Sequence, residues 1–253
     1  MQKGIIASID KVMYSCGLEI LHPGGIEKTD EMAKQCNIDE TKIVLDIGSG
    51  KGFTACYLAE KYKCQVIGID LSGDMIDYSY QLAKKKKLTD KVSFKKMDAT
   101  NLDYEDDFFD IVFSECVTVL LDQKKALKES IRVTKKGGFV ADLEMIWKKP
   151  PIEELIKKTY DIWGGFKTVT LEEWQNVFIE NGLTNIKPVD FSYKMLNMKK
   201  DMMKQIGLFG LIKMGFIILN KKDIRKAFIE YQKIFNDYVD YLGYGYIVGQ
   251  KPH

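Results

Sequence analysis

The sequence predicts an α/β fold: a parallel sheet covered by helices on both faces. From Lys42 onward, short apolar runs rich in β-branched residues alternate with longer segments whose apolar residues recur at helical spacing. A glycine-rich turn follows the first run, and aspartates stand at the ends of the first three. Strands that alternate with helices in this way form one sheet through right-handed crossovers.

Most elements can be assigned in chain order. We expect strands at 42–48, 64–70, 91–99, 109–115, 137–146, 185–193 and 243–251, the fifth of which follows a Gly-Gly turn at Gly137 and Gly138. We expect helices at 53–62, 72–88, 123–133 and 150–163, and a helix that begins at the T-x-x-E capping box of Thr170–Glu173 and closes at Gly182. Residues 1–40 are expected to form a helical segment that covers the ligand cleft. The main domain is then 41–253, with helical lid insertions at about 148–168 and 194–240.

Composition limits the classes of partner and compartment. The 38 basic and 36 acidic residues give a net charge of +2, so no global field favours nucleic acid or a membrane surface. The five cysteines are odd in number and show no C-x-x-C spacing, which favours a reducing, cytoplasmic location; we predict no metal site. The apolar run Ile206 to Leu219 contains Lys213 and is shorter than a bilayer span, so we expect no transmembrane helix.

The glycine turn in "IVLDIGSGKGF" does not fit two common ligand motifs. A phosphate-binding P-loop requires G-x-x-x-x-G-K-[ST], but Leu45 occupies the first glycine position and Gly52 the hydroxyl position. A dinucleotide fingerprint requires G-x-G-x-x-G, and after Gly48 and Gly50 the third position is Phe53. Phosphate and dinucleotide binding are therefore disfavoured.

The remaining pattern is acidic. Asp46 precedes G-x-G-x-G, Asp70 closes the second strand, and Asp98 closes the third. Because ligands of open α/β sheets bind at the carboxyl ends of the strands, these carboxylates should converge on one cleft, where Asp70 can accept hydrogen bonds from a ribose. Such a cleft repels a polyphosphate and accepts a ligand with a sulfonium cation and an amino group. The alternative is that each aspartate is an ordinary strand-end residue.

Five segments between residues 41 and 145 resemble the class I S-adenosylmethionine-dependent methyltransferases, small-molecule branch: "VLDIGSGKG", "IGIDLSGDM", "KKMDATNL", "FDIVFSECVTVLL" and "KKGGFVADLE". The resemblance implies a Rossmann-like, doubly wound, seven-stranded sheet of order 3-2-1-4-5-7-6 with the last strand antiparallel. It implies S-adenosylmethionine as cofactor and S-adenosylhomocysteine as product.

The resemblance also implies roles for individual residues. Around the methionine part and the methyl group it places Asp46, Gly48, Ser49, Gly50, Gly52, Ser114 and Glu115. Around the adenosine it places Asp70 on the ribose hydroxyls, Asp98 and the Ala99 amide on the adenine edge, and Leu71 and Met75 on the adenine ring.

The implied reaction is in-line displacement of the methyl group by a small-molecule acceptor. A base is needed only if the acceptor must lose a proton, and the candidates are Glu115, His22 and Tyr14, each of which has a structural alternative. The segment "SECV" lacks the Pro-Pro-aromatic sequence of enzymes that methylate nucleic-acid bases, so no nucleic-acid partner is expected.

The acceptor is expected to be hydrophobic or cationic. An aromatic group after the fifth strand forms either a cage for a cation or part of the core: Trp147, Tyr160, Trp163 and Phe166. The apolar segment 206–219 is open to three interpretations, namely a cover for a hydrophobic acceptor, a homo-oligomer contact or a bilayer contact. A cofactor-binding scaffold or sensor without turnover is the alternative function, followed by a NAD-dependent oxidoreductase.

Overall fold

The computed structural model describes residues 9, 12–20, 22, 24–163 and 167–253. Its strands are β1 (Ile43–Ile47), β2 (Gln65–Asp70), β3 (Val92–Lys96), β4 (Phe109–Glu115), β5 (Thr134–Trp147), β6 (Thr184–Asp190) and β7 (Leu242–Gln250). Its helices are α1 (Gly25–Gln35), α2 (Phe53–Tyr62), α3 (Gly73–Lys86), α4 (Gln123–Val133), α5 (Glu153–Trp163), α6 (Leu171–Glu180), α7 (Met195–Asn220) and α8 (Lys222–Asp237). A helical turn at 12–15 precedes them.

The seven strands form one sheet in the order β3-β2-β1-β4-β5-β7-β6. β1 lies in the middle, parallel to β2 and β4, and β7 inserts antiparallel between β5 and β6. This confirms the fold class and the strand order expected from the resemblance. Because β1 and β4 are central and nearly all buried, their carboxyl ends are held in fixed positions at the cleft.

Helix boundaries follow from capping. The Ser72 side chain accepts a hydrogen bond from the Met75 amide at the start of α3, and Thr170 and Glu173 form the reciprocal capping box of α6. These two predicted helix starts are confirmed. Each cap satisfies backbone donors that the first helical turn leaves without partners.

Two strand boundaries differ from the sequence interpretation. β3 ends at Lys96, so Asp98 lies in the following loop rather than in the strand. β5 begins at Thr134, and the two glycines that suggested a turn belong to it. The reason is pairing of backbone groups. The Gly137 amide donates a hydrogen bond to the Lys251 carbonyl oxygen (2.8 Å), and the Lys251 amide donates one to the Gly138 carbonyl oxygen (2.9 Å).

A separate apolar cluster joins the N-terminal segment to the last two helices. It contains Ile9, Val12, Met13, Cys16, Leu18, Ile206 and Ala227. At Gly210 a Cβ atom would lie 2.0 Å from the Cys16 carbonyl oxygen, so glycine permits this close crossing. The proposed division into a covering segment at 1–40 and lid insertions agrees with this packing but is not tested by it.

Helix α7 is longer than the apolar run seen in the sequence. Among the described residues, one helix is long and apolar enough to cross a membrane by length and composition, at Lys199–Asn220 with a mean hydropathy of 1.6. Only 6% of its most apolar stretch is buried. The helix changes direction at Gly207, where φ is 66° and ψ is 178°.

Candidate functional site

The glycine turn joins β1 to α2 and requires its glycines. Gly48, Gly50 and Gly52 have φ of 68°, 51° and 78°, a region that residues with a side chain rarely adopt. A Cβ atom on Gly52 would lie 2.6 Å from the Phe94 ring and 2.7 Å from the Ser79 Cβ atom. Gly52 therefore serves close packing of the turn against neighbouring elements, while Gly48 and Gly50 line a cavity.

Asp70 ties this turn to the end of β2. One carboxylate oxygen accepts a hydrogen bond from the Gly50 amide (3.0 Å), and the other accepts from the Ser72 amide (2.8 Å). The next side chain, Leu71, is apolar but 53% exposed. An exposed apolar side chain in this place is suited to pack against the ring of a ligand. Asp98 is also exposed, and its Oδ1 accepts from the amide and hydroxyl of Thr100.

A cavity lies beside the turn, between β1, β4 and the N-terminal segment. Its described lining is Tyr14, Glu19, Ile20, His22, Asp46, Ile47, Gly48, Ser49, Gly50, Lys51, Phe53, Thr54, Glu115, Cys116 and Val117. It thus brings together all three predicted base candidates and five of the seven residues assigned to the methionine end, Glu115 belonging to both sets. Three carboxylates against one lysine give it an acidic character.

Two buried polar atoms in this lining have no protein partner: Oδ2 of Asp46 and Oγ of Ser49. Burial raises the pKa of Asp46 well above its ordinary value, and the negative charges of Glu115 and Asp70 raise it further. A buried polar group without a partner is costly unless a ligand satisfies it. A ligand carrying positive charge and hydrogen-bonding groups would satisfy both atoms.

Glu115, at the end of β4, has a side chain that is only 7% exposed and is the centre of a hydrogen-bond network. Its oxygens accept from the hydroxyls of Thr29 and Thr54, each at 2.7 Å, and its Oε2 lies 3.4 Å from Nε2 of His22. Burial alone would raise the pKa of Glu115, but the contacts with His22 and the two threonines lower it below the ordinary value. The chain turns sharply after it, with Cys116 at φ 58°.

Lys51 holds the N-terminal segment against the turn. Its ammonium group lies 4.8 Å from the centroid of the Tyr14 ring and 5.1 Å from that of Tyr78, and it donates to the Tyr14 carbonyl oxygen at 3.2 Å. Burial lowers the pKa of this lysine. Tyr14 and Lys51 both line the cavity, and the Tyr78 ring packs on the other side of the lysine.

Some predicted site residues lie elsewhere. The Ser114 side chain lines a second cavity, between the sheet and helices α4 and α6. The Ala99 side chain is buried in a core cluster with residues of β1, β2 and β4, and the predicted contact of its backbone amide with the adenine stays a prediction. In the predicted aromatic group, Trp147 is core and Tyr160 is 53% exposed, while the Trp163 side chain and Phe166 lie outside the described residues. The structure shows no cage formed by Trp147 and Tyr160.

Sequence reasoning missed Thr29, Thr54 and Lys51. The two threonines sit inside helices α1 and α2, where no local pattern distinguishes them from packing residues. Lys51 matches the lysine of the P-loop motif, and it received no role once Leu45 and Gly52 had excluded that motif. No signal in a single sequence could have found the threonines, because their role depends on contact with a residue 86 or 61 positions away.

Strand β5 carries two buried carboxylates, Asp142, which lines the second cavity, and Glu144. Thr118 donates to Asp142 at 2.8 Å, and Glu144 accepts from the amides of Val117 and Thr118 at 2.7 and 2.6 Å. Burial raises the pKa of Asp142 to about 7 and raises that of Glu144 well above its ordinary value. Both groups therefore favour their protonated forms in the folded protein.

This gives a pH dependence of stability. Because the folded pKa of Asp142 lies above its ordinary value near 3.8, its contribution is complete below that value and is lost progressively as the pH rises from there to about 7. We expect Tm to fall by several degrees between about pH 5 and pH 7, and Asp142→Asn to reduce this fall. Thermal unfolding at each pH measures it, with the exposed Asp103→Asn as control. Equal falls in wild type and Asp142→Asn would contradict the assignment.

Comparison with known proteins now identifies the family. The family described as "Methyltransferase domain" matches residues 45–141, the stretch from β1 to β5 that carries the turn and the strand ends. Residues 45–141 thus carry a methyltransferase domain, in agreement with the resemblance to the class I S-adenosylmethionine-dependent methyltransferases. S-adenosylmethionine, the methyl donor of that class, is the cofactor predicted from the sequence.

Sequence relatives of the methyltransferase differ in how much of their length it covers. An uncharacterized protein of Haemophilus influenzae is 29% identical over 225 residues, which cover 86% of this chain and 87% of that one. Norajmaline N-methyltransferase of Rauvolfia serpentina is 34% identical over 147 residues, 52% of this chain and 50% of that one. The chain spans half or less of the length of the named N-methyltransferases it matches.

Solved structures confirm the fold of the methyltransferase. Phosphoethanolamine N-methyltransferase 2 of Haemonchus contortus, in complex with S-adenosyl-L-methionine, has a TM-score of 0.80 and 21% identity, covering 98% of this chain and 57% of that one. The [4+2]-cyclase SpnF has a TM-score of 0.79 and 19% identity, and the match covers 98% of this chain and 93% of the cyclase chain. One fold thus serves proteins with different reactions.

The residues of the cleft fit S-adenosylmethionine. The unpartnered oxygens of Asp46 and Ser49 and the acidic lining suit a charged amino-acid end with a sulfonium, and Asp70 beside an exposed Leu71 suits a nucleoside. Within the part of the chain that the structure describes, no group of three or more His, Cys, Asp or Glu residues is arranged to hold a metal ion.

Proposed function

We propose that this protein transfers a methyl group from S-adenosylmethionine to an amine nitrogen of a small molecule. The observation that carries the proposal is His22 in contact with the buried carboxylate of Glu115 in the wall of the acidic cavity. An acidic lining favours a protonated amine, and an amine must lose a proton to become a nucleophile. The relatives named as N-methyltransferases support the same acceptor atom.

The chain contributes positioning and proton transfer. When bound, S-adenosylmethionine supplies a sulfonium-activated methyl group that the acceptor nitrogen displaces in line, leaving S-adenosylhomocysteine. His22 takes the proton from the amine, and Glu115 orients the imidazole and stabilises its charged form. The N-terminal segment excludes water from the cavity, which strengthens these electrostatic interactions.

The lining disfavours a phosphorylated acceptor. Among the described lining residues, Lys51 is the one lysine or arginine, and two tyrosine rings flank it. A phosphate group prefers several donors, typically including arginine. We therefore infer a neutral or cationic amine. The cysteine content supports a cytoplasmic location as part of this proposal.

The test is formation of S-adenosylhomocysteine with the purified protein, S-adenosylmethionine carrying a deuterated methyl group, and panels of small amines, alcohols and thiols. We expect the labelled methyl group on amines, detected by mass spectrometry. Methylation of alcohols or thiols alone would overturn the choice of nitrogen. Binding of S-adenosylmethionine without product in every panel would favour the scaffold or sensor function.

A further inference from the structure

The outward face of α7 is a continuous apolar stripe after Gly207. Its members are Leu208, Phe209, Ile212, Phe216 and Leu219, between 63% and 87% exposed. Spacings of three and four residues place them on one side of the helix. An exposed apolar surface of this kind marks an interaction site in a folded protein.

The opposite side of the same helix is already occupied within the chain. Ile206 is buried in the cluster with the N-terminal segment, and Gly210 crosses the Cys16 backbone closely. Lys213 turns toward the N-terminal segment and donates to the Ser15 carbonyl oxygen at 2.6 Å. The helix is thus fixed by one face, and its stripe faces outward.

The two ends of the stripe are strongly basic. Residues 199–226 contain eight basic and two acidic residues, although the whole chain has a net charge of only +2. Exposed basic side chains precede the stripe at Lys199, Lys200 and Lys204 and follow it at Lys221, Lys222, Arg225 and Lys226. The near-neutral net charge of the whole chain is therefore the sum of a strongly positive segment at 199–226 and a remainder that is net negative.

We propose that α7 binds the surface of an anionic lipid bilayer. The apolar stripe would enter the boundary between headgroups and acyl chains, and the basic ends would lie on acidic headgroups. A second copy of the chain fits less well, because both ends of the helix are positive. Parallel and antiparallel pairing would each bring like charges together.

A membrane-spanning role fits less well too. To cross a bilayer, α7 would have to leave the cluster formed with the N-terminal segment and α8, including the Lys213 bond. Lying in the interface keeps these contacts. It also brings the cleft near the lipid surface, since Gln205 of α7 accepts a hydrogen bond from the Ile20 amide (3.4 Å), and Ile20 lines the cavity.

Flotation of the full chain with vesicles tests the proposal. We expect binding to phosphatidylcholine vesicles that contain phosphatidylglycerol, at least about tenfold weaker binding to phosphatidylcholine alone, and weakening by salt. The double variant Phe209→Ser/Phe216→Ser should bind the anionic vesicles at least about tenfold less, because both side chains are exposed and leave the core intact. Ile179→Ser, which changes a 52% exposed apolar residue on α6, is the matched control and should bind as wild type does.

Three results would overturn the proposal. The first is equal binding by wild type and the double variant. The second is sedimentation velocity showing a dimer that the double variant abolishes, with no vesicle binding. The third is protein that resists alkaline extraction from vesicles as an integral protein does. None of these results bears on methyl transfer, because the vesicle assay does not use the cofactor cleft.

Discussion

The His22→Ala variant is expected to lose about 10²- to 10⁴-fold in kcat for methylation of an amine, the usual contribution of a positioned base. The reason is geometric: His22 lies in the cavity wall and is held by Glu115, whose other contacts are fixed by Thr29 and Thr54. The affinity for S-adenosylmethionine should change little, because Asp70 and the glycine turn remain in place.

The pH dependence distinguishes a base from a wall residue. If His22 accepts the proton, the loss of kcat in His22→Ala relative to wild type should become smaller as the pH rises, because the amine is then already deprotonated in solution. His253→Ala, which removes the other histidine, exposed at the chain end, is the control and should behave as wild type does. A loss of kcat that is the same at every pH would show that His22 shapes the cavity instead of accepting the proton.

For Asp70→Ala we expect S-adenosylmethionine to bind about 5- to 150-fold more weakly, which corresponds to about 1 to 3 kcal/mol for lost hydrogen bonds to a charged group. The variant loses the predicted ribose contacts. It also leaves the amides of Gly50 and Ser72 without their carboxylate acceptor, so the turn itself is less fixed. Isothermal titration calorimetry gives the change in Kd directly.

Asp77→Ala removes the same charge from an exposed position on α3 and serves as the comparison. Thermal unfolding of both variants separates loss of binding from loss of folding. An unchanged Kd in Asp70→Ala would show that the ribose lies away from β2, and it would remove the basis for the adenosine site.

The sequence determined the sheet and the cofactor end of the site because both rest on local signals. Strand runs, the capping box at Thr170 and the spacing of Asp46, Asp70 and the glycines depend on near neighbours in the chain, and the structure reproduces their order. The side chain of Ser114 shows where this fails. Strand residues alternate between faces, and sequence could not say that Ser114 points toward α4 and α6 rather than toward the turn.

Other features depend on contacts between distant segments. The glycines at 137 and 138 suggested a turn, but pairing with Lys251 near the far end of the chain draws them into β5. The network around Glu115 likewise combines residues from α1, α2 and the N-terminal loop. The basic ends of α7 can be read in the sequence, but the exposure of its apolar stripe depends on which face the rest of the chain covers.

The network around Glu115 has a practical consequence for dissecting this protein. A fragment trimmed to residues 45–141 would keep the recognised family segment and Thr54, yet it would discard His22 and Thr29. The carboxylate would then face solvent with one of its three described side-chain contacts. The smallest unit worth expressing for chemistry therefore begins well upstream of the boundary that homology suggests.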